Sequence, residues 1–218
     1  LYSKRQWKLK MFLGEIKETE ALGKKAENLS QLKGAGFRVP AGFVLNKTAY
    51  KDLSAADLNR AVAKIGGYPV AVRSSGAQED LAEASFAGLY ESYLNVRNEA
   101  ELKEKIQACF ASSQSERVRT YMQEKGISYS EKDLTDGVCV LVQKMVNAKY
   151  AGVAFSLNPI NGKDEEVLLE YIEGLGEELV SGTKTPTSLT LNRFKDTLPD
   201  ELPLEESFQT LHKHILEI

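Results

Sequence analysis

Arg73 is the first residue to draw chemical attention. It follows the apolar run Tyr68-Pro69-Val70-Ala71-Val72 and precedes Ser74-Ser75-Gly76-Ala77-Gln78-Glu79-Asp80. A guanidinium at the end of an apolar strand is partly desolvated, which is costly unless it is paired. Small residues let backbone amides approach a ligand, and arginine grips phosphate through two parallel hydrogen bonds. Two readings stand level here: an anion-binding arginine, or a structural salt bridge to Glu79 or Asp80. Lys24 and Lys25 open a predicted helix, where positive charge opposes the helix dipole. A helix start attracts anions, so a lysine there can serve an anionic ligand; a solvated surface pair is the alternative. Ser85-Phe86-Ala87-Gly88 is a small-residue turn able to cover phosphates with its amides, although any hairpin turn would read the same way. Gln143-Lys144-Met145-Val146 ends an apolar strand and offers backbone edge groups and an apolar surface to a flat base, or is simply a strand end.

Other chemistries are missing. No G-x-x-x-x-G-K-[ST] loop occurs, since Gly23-Lys24 is followed by Lys25. There is no G-x-G-x-x-G after a strand, no G-x-S-x-G elbow and no H-E-x-x-H. The 2 histidines, His212 and His214, are two residues apart on a predicted helix and point to different faces, so they cannot share a metal. The 2 cysteines, Cys109 and Cys139, lie far apart inside apolar patterns and read as reduced core thiols. Any reaction therefore rests on Lys, Arg, carboxylates and amides. Lys plus Arg is 28 against 31 for Asp plus Glu, a net charge of −3 that argues against nucleic-acid binding. No run approaches the ~18 apolar residues of a membrane span, and Met11-Phe12-Leu13 is too short for a secretory leader. A cytoplasmic protein is expected.

Elements must hold these groups in place. Leu22, Leu29 and Leu32 predict a helix over 21–35, stopped by Gly34 and Gly36. A turn into a strand follows at 39–45, then a short helix over 54–65 with Ser54 as N-cap. A buried strand over 68–72 leads into a loop at 73–80. The alternation of Tyr90, Ser92, Leu94 and Val96 predicts a strand with those residues on one side. One long helix is expected over 99–122, with Leu102, Ile106, Cys109 and Phe110 inward, and a loop over 126–136. Strands at 138–145 and 150–156 are expected to pair as a hairpin across 146–149. A third strand at 166–172, a short helix within 174–182 and a strand at 188–192 follow. Leu204, Phe208, Leu211, Ile215 and Ile218 mark an amphipathic helix still running at the last residue, which reads as a piece of something longer. The order predicts an α+β protein with a largely antiparallel sheet.

Six blocks, in order, resemble the ATP-binding domain of pyruvate phosphate dikinase, phosphoenolpyruvate synthase and rifampicin phosphotransferase. They are Gly23-Lys24-Lys25-Ala26-Glu27-Asn28-Leu29 (family G-G-K-G-A-N-L); Gly36-Phe37-Arg38-Val39-Pro40-Ala41-Gly42-Phe43 (G-x-x-V-P-x-G-F); and the A-V-R-S-S-x-x-x-E-D-x-x-x-A-S-F-A-G stretch at 71–88. Val142-Gln143-Lys144-Met145-Val146, the 151–159 segment ending Ser156-Leu157-Asn158-Pro159, and Gly174-Leu175-Gly176-Glu177 with Val180-Ser181-Gly182 complete them. The blocks span roughly residues 12–192.

The resemblance implies an ATP-grasp-like, two-lobed nucleotide-binding fold, C-terminally incomplete, with lobes at 1–97 and 98–218. It implies Mg²⁺ and ATP as cofactors, and phosphate transfer to a histidine on a phosphohistidine domain in the same or another chain. Pyruvate or another small molecule is the final acceptor. By position Lys25 and Arg73 resemble the catalytic, phosphate-binding basic residues. Gly88 resembles the glycine of the phosphate-covering turn, and Ser92 stands where a threonine hydroxyl is frequent. Gln143 resembles the residue beside adenine, with Met145 and Val146 lining that pocket. The family's metal-binding carboxylate lies in a P-Q-D-I-E-like segment that would follow Ile218, so no metal ligand is assigned, and the isolated chain is expected to bind nucleotide weakly and not to turn over. The chain departs from the family at Lys24, Ala77, Gln78, Leu89 and Thr187. These departures motivate the alternative of a degenerate or split, non-catalytic nucleotide-sensing or interaction subunit.

Overall fold

The computed structural model describes residues 11–16, 22–76, 80–81, 84–85, 91–127, 130 and 137–194, with 80–81 and 84–85 as backbone only. The chain divides into two compact units, Leu1–Val146 and Asn147–Ile218.

The first unit runs α1 (Lys24–Gly34), β1 (Gly42–Leu45), α2 (Lys47–Asp52), α3 (Ala55–Lys64), β2 (Val70–Gly76), the short β3 (Asp80–Leu81) and β4 (Ala84–Ser85), β5 (Ser92–Val96), α4 (Glu99–Ser112), α5 (Glu116–Glu124) and β6 (Val138–Lys144). Its main sheet has the order β1-β6-β2-β5, every pair antiparallel. Strand β6 is buried at all but its last residue. A strand so apolar on both faces belongs in the middle of a covered sheet. Here β1 flanks it on one side and β2 on the other.

One face carries Phe43, Leu45, Val70, Val72, Val140 and Val142 and packs against Leu58, Ala61 and Val62 of α3 and Leu102, Ile106, Cys109 and Phe110 of α4. Both helical sets recur at three- and four-residue steps, so each forms one apolar stripe. The other face carries Val44, Cys139 and Leu141 under Ala26 and Leu29 of α1 and under Met11 and Leu13. Each large apolar side chain fully buried in these layers contributes roughly 1.5–3 kcal/mol. Ser54 caps α3 as expected: its Oγ accepts from the Asp57 amide at 3.2 Å and the Asp57 carboxylate accepts from the Ser54 amide at 3.4 Å.

Four expectations are corrected. The single helix over 99–122 is two, α4 and α5. The Ser112 hydroxyl donates to the Cys109 carbonyl and that of Ser113 to the Phe110 carbonyl, while Ser115 caps α5. Serines bonding back to the preceding turn compete with helix continuation and restart it as caps. Strands 138–145 and 150–156 form no hairpin, because β6 is taken by β1 and β2 while the later strand pairs within the second unit. Strand β2 does not stop at Val72 but runs through Arg73 to Gly76, so the first part of the expected loop is strand. Finally, Ser92 and Val96 do not share a side. Ser92 pairs with Arg73, whereas Val96 pairs with Val70 on the α4 side, and the register shifts between Val70 and Val72. Asn95, at φ 57°, takes up the irregularity.

The second unit is an antiparallel meander: β7 (Tyr150–Phe155), β8 (Glu166–Glu173), the one-turn α6 (Glu177–Val180) and β9 (Thr187–Asn192). Its β7–β8 turn is fixed by Glu166, whose carboxylate accepts from the Asn158 and Asn161 amides at 2.8 Å each and from Lys163 Nζ at 2.9 Å. Lobes at 1–97 and 98–218 are the expectation from the sequence. The compact units divide at 146/147, because the first sheet needs β6 at its centre. The expected terminal helix over 204–218, with His212 and His214, lies outside the described residues. Among the described residues no helix is long and apolar enough to cross a membrane.

Candidate functional site

The sheet face covered by α1 on its β1–β6 side carries Ala71, Arg73 and Ser75 of β2 and Gln143 of β6. Register sets this: Ala71 opposes Gln143, Arg73 opposes Leu141 and Ser75 opposes Cys139. Ser92 joins the row opposite Arg73 from β5. From the level of Gln143 to that of Ser75 is four residues along β2, about 13 Å at strand spacing. The expected base-side residue Gln143 thus stands at one end of this row, Arg73 and Ser92 two residues along it, and Ser75 at the far end.

At the Ser75 end, α1 begins. Gly23 precedes it with φ 79° and ψ 151° and offers no side-chain cap. Its backbone lies so close to β2 that a Cβ would stand 2.3 Å from the Ser75 carbonyl oxygen. Ser75 supplies the missing cap from the strand: its buried hydroxyl accepts from the Ala26 amide at 3.2 Å and donates to the Leu22 carbonyl at 3.1 Å. Lys25, in the first turn, sends its ammonium to the Ser74 carbonyl at 3.3 Å. The next-door strand therefore anchors both the helix start and its lysine.

Arg73 is half-buried, and among the described residues its guanidinium has no hydrogen-bond or ion-pair partner. Glu79 and the side chain of Asp80, the candidates for a structural pair, lie outside the described residues. Ser74 points to the opposite face; its amide and hydroxyl both donate to the Glu91 carbonyl, at 3.1 and 3.2 Å. Burial pushes the Cys109 thiol up to about 11, a hydrogen bond with Ser74 and the charge of Lys25 acting the other way. Burial likewise pushes Cys139 up to about 12. Both sulfurs are protonated core groups, as expected.

At the other end Gln143 is buried, crosses Gly42 and donates its amide to the Pro40 carbonyl at 3.4 Å. A Cβ at Gly42 would lie 2.8 Å from Gln143 Cγ, so the glycine makes room for that side chain. Lys144 ties the strand end to the preceding turn, donating to the Gly67 and Tyr68 carbonyls at 3.0 and 2.8 Å. Met145 is half-buried and its amide donates to the Pro69 carbonyl at 3.2 Å, while Val146 is exposed. The structure thus brings Arg73, Ser92 and Gln143 onto one sheet face, with Lys25 in the helix anchored at its end. Gly88 falls outside the described residues.

Sequence reasoning missed Gly23 and Ser75 as structural determinants. The signals were present, a glycine just before the helix and a second serine after Arg73, but nothing in the chain says that residues about fifty positions apart will meet.

Comparison with known proteins identifies the family. Residues 53–210 match the family model described as the pyruvate phosphate dikinase AMP/ATP-binding domain. An uncharacterized phosphotransferase of Bacillus subtilis, YvkC, is 31% identical over 225 residues, covering 91% of this chain and 27% of that protein. A probable phosphoenolpyruvate synthase of Archaeoglobus fulgidus is 39% identical over 144 residues, 66% of this chain and 18% of the relative. The prodigiosin synthesizing transferase PigC of Serratia marcescens is 33% identical over 207 residues, 81% of this chain and 22% of the relative. The chain thus spans little more than a quarter of these relatives at most. The family match covers well over half of the chain, and the chain belongs to the pyruvate phosphate dikinase AMP/ATP-binding domain family.

Proposed function

We propose that this chain is the nucleotide-binding part of a dikinase-type phosphotransferase. It binds Mg²⁺–ATP in an ATP-grasp-like manner and passes a phosphoryl group to a histidine on a separate domain, from which pyruvate or another small molecule receives it. The observation that carries this reading is Arg73: half-buried, without a partner among the described residues, and on the strand that anchors the first turn of α1 with Lys25. Such a guanidinium gains most from a desolvated anion.

Lys25 and Arg73 bind the phosphates and neutralise charge as it redistributes. Ser92 lies opposite Arg73 and donates its hydroxyl to a phosphate oxygen, and Gly88, outside the described residues, takes the role of the phosphate-covering glycine in this reading. Gln143 stands beside the base, with Met145 and Val146 lining its pocket. In the transfer, an imidazole nitrogen of the separate domain attacks phosphorus. The P–O bond to the rest of the nucleotide breaks, and the leaving oxygen keeps the electron pair. Phosphoryl transfer asks chiefly for positioning and charge stabilisation, which lysine, arginine and amides supply.

A hard cation needs a set of oxygen ligands. Among the described residues no group of three or more His, Cys, Asp or Glu side chains is placed to hold a metal. The described residues by themselves therefore do not make up a magnesium site, and Mg²⁺ enters this reading with the nucleotide as part of the substrate.

Calorimetric titration with Mg²⁺–ATP tests the proposal. Saturable binding is expected, weakened in Lys25→Ala and in Arg73→Ala by roughly 1.5–3 kcal/mol each, the range for hydrogen bonds to charged groups. A folded wild-type chain that does not bind, or variants that bind as tightly as wild type, would refute it.

A further inference from the structure

We infer that Ser75 is a positioning residue for the phosphate end of the site, acting as the N-cap of α1 from a different strand. The inference rests on the nucleotide reading above and assigns a role to a residue that touches no ligand in it.

A helix start leaves its first amides without intrahelical acceptors, and these are the groups an anion meets. The usual remedy is a capping side chain at the residue before the helix. At α1 that residue is Gly23, which has none. Ser75 is fully buried, and its hydroxyl uses both of its functions on the helix entry, accepting from Ala26 and donating to Leu22. The two groups it holds bracket Lys24 and Lys25. Ser75 also sits two residues beyond Arg73 on the same strand and the same face. One hydroxyl thus couples the placement of Lys25 and the amides of the first turn to the strand that carries Arg73. Gly23 permits the close approach, since a Cβ there would lie 2.6 Å from Ser75 Oγ. Without the hydroxyl, the helix entry loses its link to the strand while Lys25 and Arg73 are both still present.

The test compares Ser75→Ala, Ser75→Val and Ser75→Thr with wild type and Lys25→Ala. Mg²⁺–ATP affinity is measured by calorimetry, amide exchange at Ala26 by NMR and folding by far-UV circular dichroism. Thr and Val are nearly isosteric, with a hydroxyl in one where the other has a methyl, so crowding at the branched Cβ affects both similarly. Ser75→Ala and Ser75→Val are expected to exchange faster at Ala26 and to bind about five- to tenfold more weakly, the scale of a lost cap. Ser75→Thr is expected to recover most of the affinity relative to Ser75→Val. Lys25→Ala should lose affinity with exchange at Ala26 unchanged. Wild-type affinity in Ser75→Ala, or equal losses in Thr and Val, overturns the inference and leaves the nucleotide reading standing. No binding by the folded wild-type chain overturns that reading and this inference with it.

Discussion

Replacing Gly23 with alanine tests the packing logic of the helix entry. The backbone there has φ 79° and ψ 151°, a region that essentially only glycine occupies. The new Cβ would meet Ser75 atoms at 2.3 Å (carbonyl O), 2.5 Å (carbonyl C) and 2.6 Å (Oγ). Two of those atoms are backbone in a buried strand and cannot swing away, so α1 must lift off β2. Backbone strain of about 1–3 kcal/mol, overpacking of similar size and the loss of the two Ser75 hydrogen bonds combine to about 3–9 kcal/mol. That is a large part of the ~5–15 kcal/mol by which a domain is usually stable. Gly34 is the control. It lies within α1, with nothing within 4 Å of a Cβ, so Gly34→Ala should be neutral or stabilising by about 0.5–1 kcal/mol. Urea unfolding followed by far-UV circular dichroism, with amide exchange along α1, measures both. If Gly23→Ala falls within about 1 kcal/mol of wild type and leaves exchange along α1 unchanged, the close approach of α1 to β2 is wrong.

Three further outcomes follow from other parts of the chain. Hydrogen bonds from Asn161, Lys163 and Asn158 hold the Glu166 carboxyl down at about 2. Because the folded-state value lies below the ordinary 4.5, the contribution is complete above 4.5 and is lost as pH falls towards 2. An NMR titration should place the midpoint near 2 and move it upward in Asn161→Ala; a wild-type midpoint above 4 contradicts the network. The buried thiols of Cys109 and Cys139, raised to about 11 and about 12, should resist iodoacetamide at pH 8 in the native chain and react once it is unfolded. Native labelling of either would show that its layer is open. The Tyr68 hydroxyl is buried with no hydrogen-bond partner among the described residues. Tyr68→Phe should therefore leave stability unchanged or raise it by up to about 1 kcal/mol in thermal unfolding, and a loss of more than that would reveal a partner.

Local signals suffice where one segment contains all the physics. The capping box at Ser54 and Asp57, the apolar stripe of α3 and the inward set Leu102, Ile106, Cys109 and Phe110 are properties of neighbouring residues on one helix. The stop at Gly34 and Gly36 and the strands 166–172 and 188–192 were legible for the same reason. The same reading joined α4 to α5, because Ser112 and Ser113 fit a helical pattern until their hydroxyls bond back to it. It paired β6 with β7 because adjacent apolar strands usually do pair, and no local feature records that β6 is wanted by β1, about a hundred residues earlier.

By itself the sequence determined which chemistry was available: basic side chains at a helix start and after an apolar strand, only two histidines and two cysteines, and the motif series that marks the family. Residue type sets charge and hydrogen-bonding capacity before any folding occurs. Tertiary structure alone decided that Arg73, Ser92 and Gln143 share one face, that the irregularity at Asn95 turns Val96 away from Ser92, and that Ser75 caps a helix beginning about fifty residues earlier. Strand order and register depend on which apolar faces can be buried together. That is a property of the whole sheet and its covering helices, which no single stretch of chain contains.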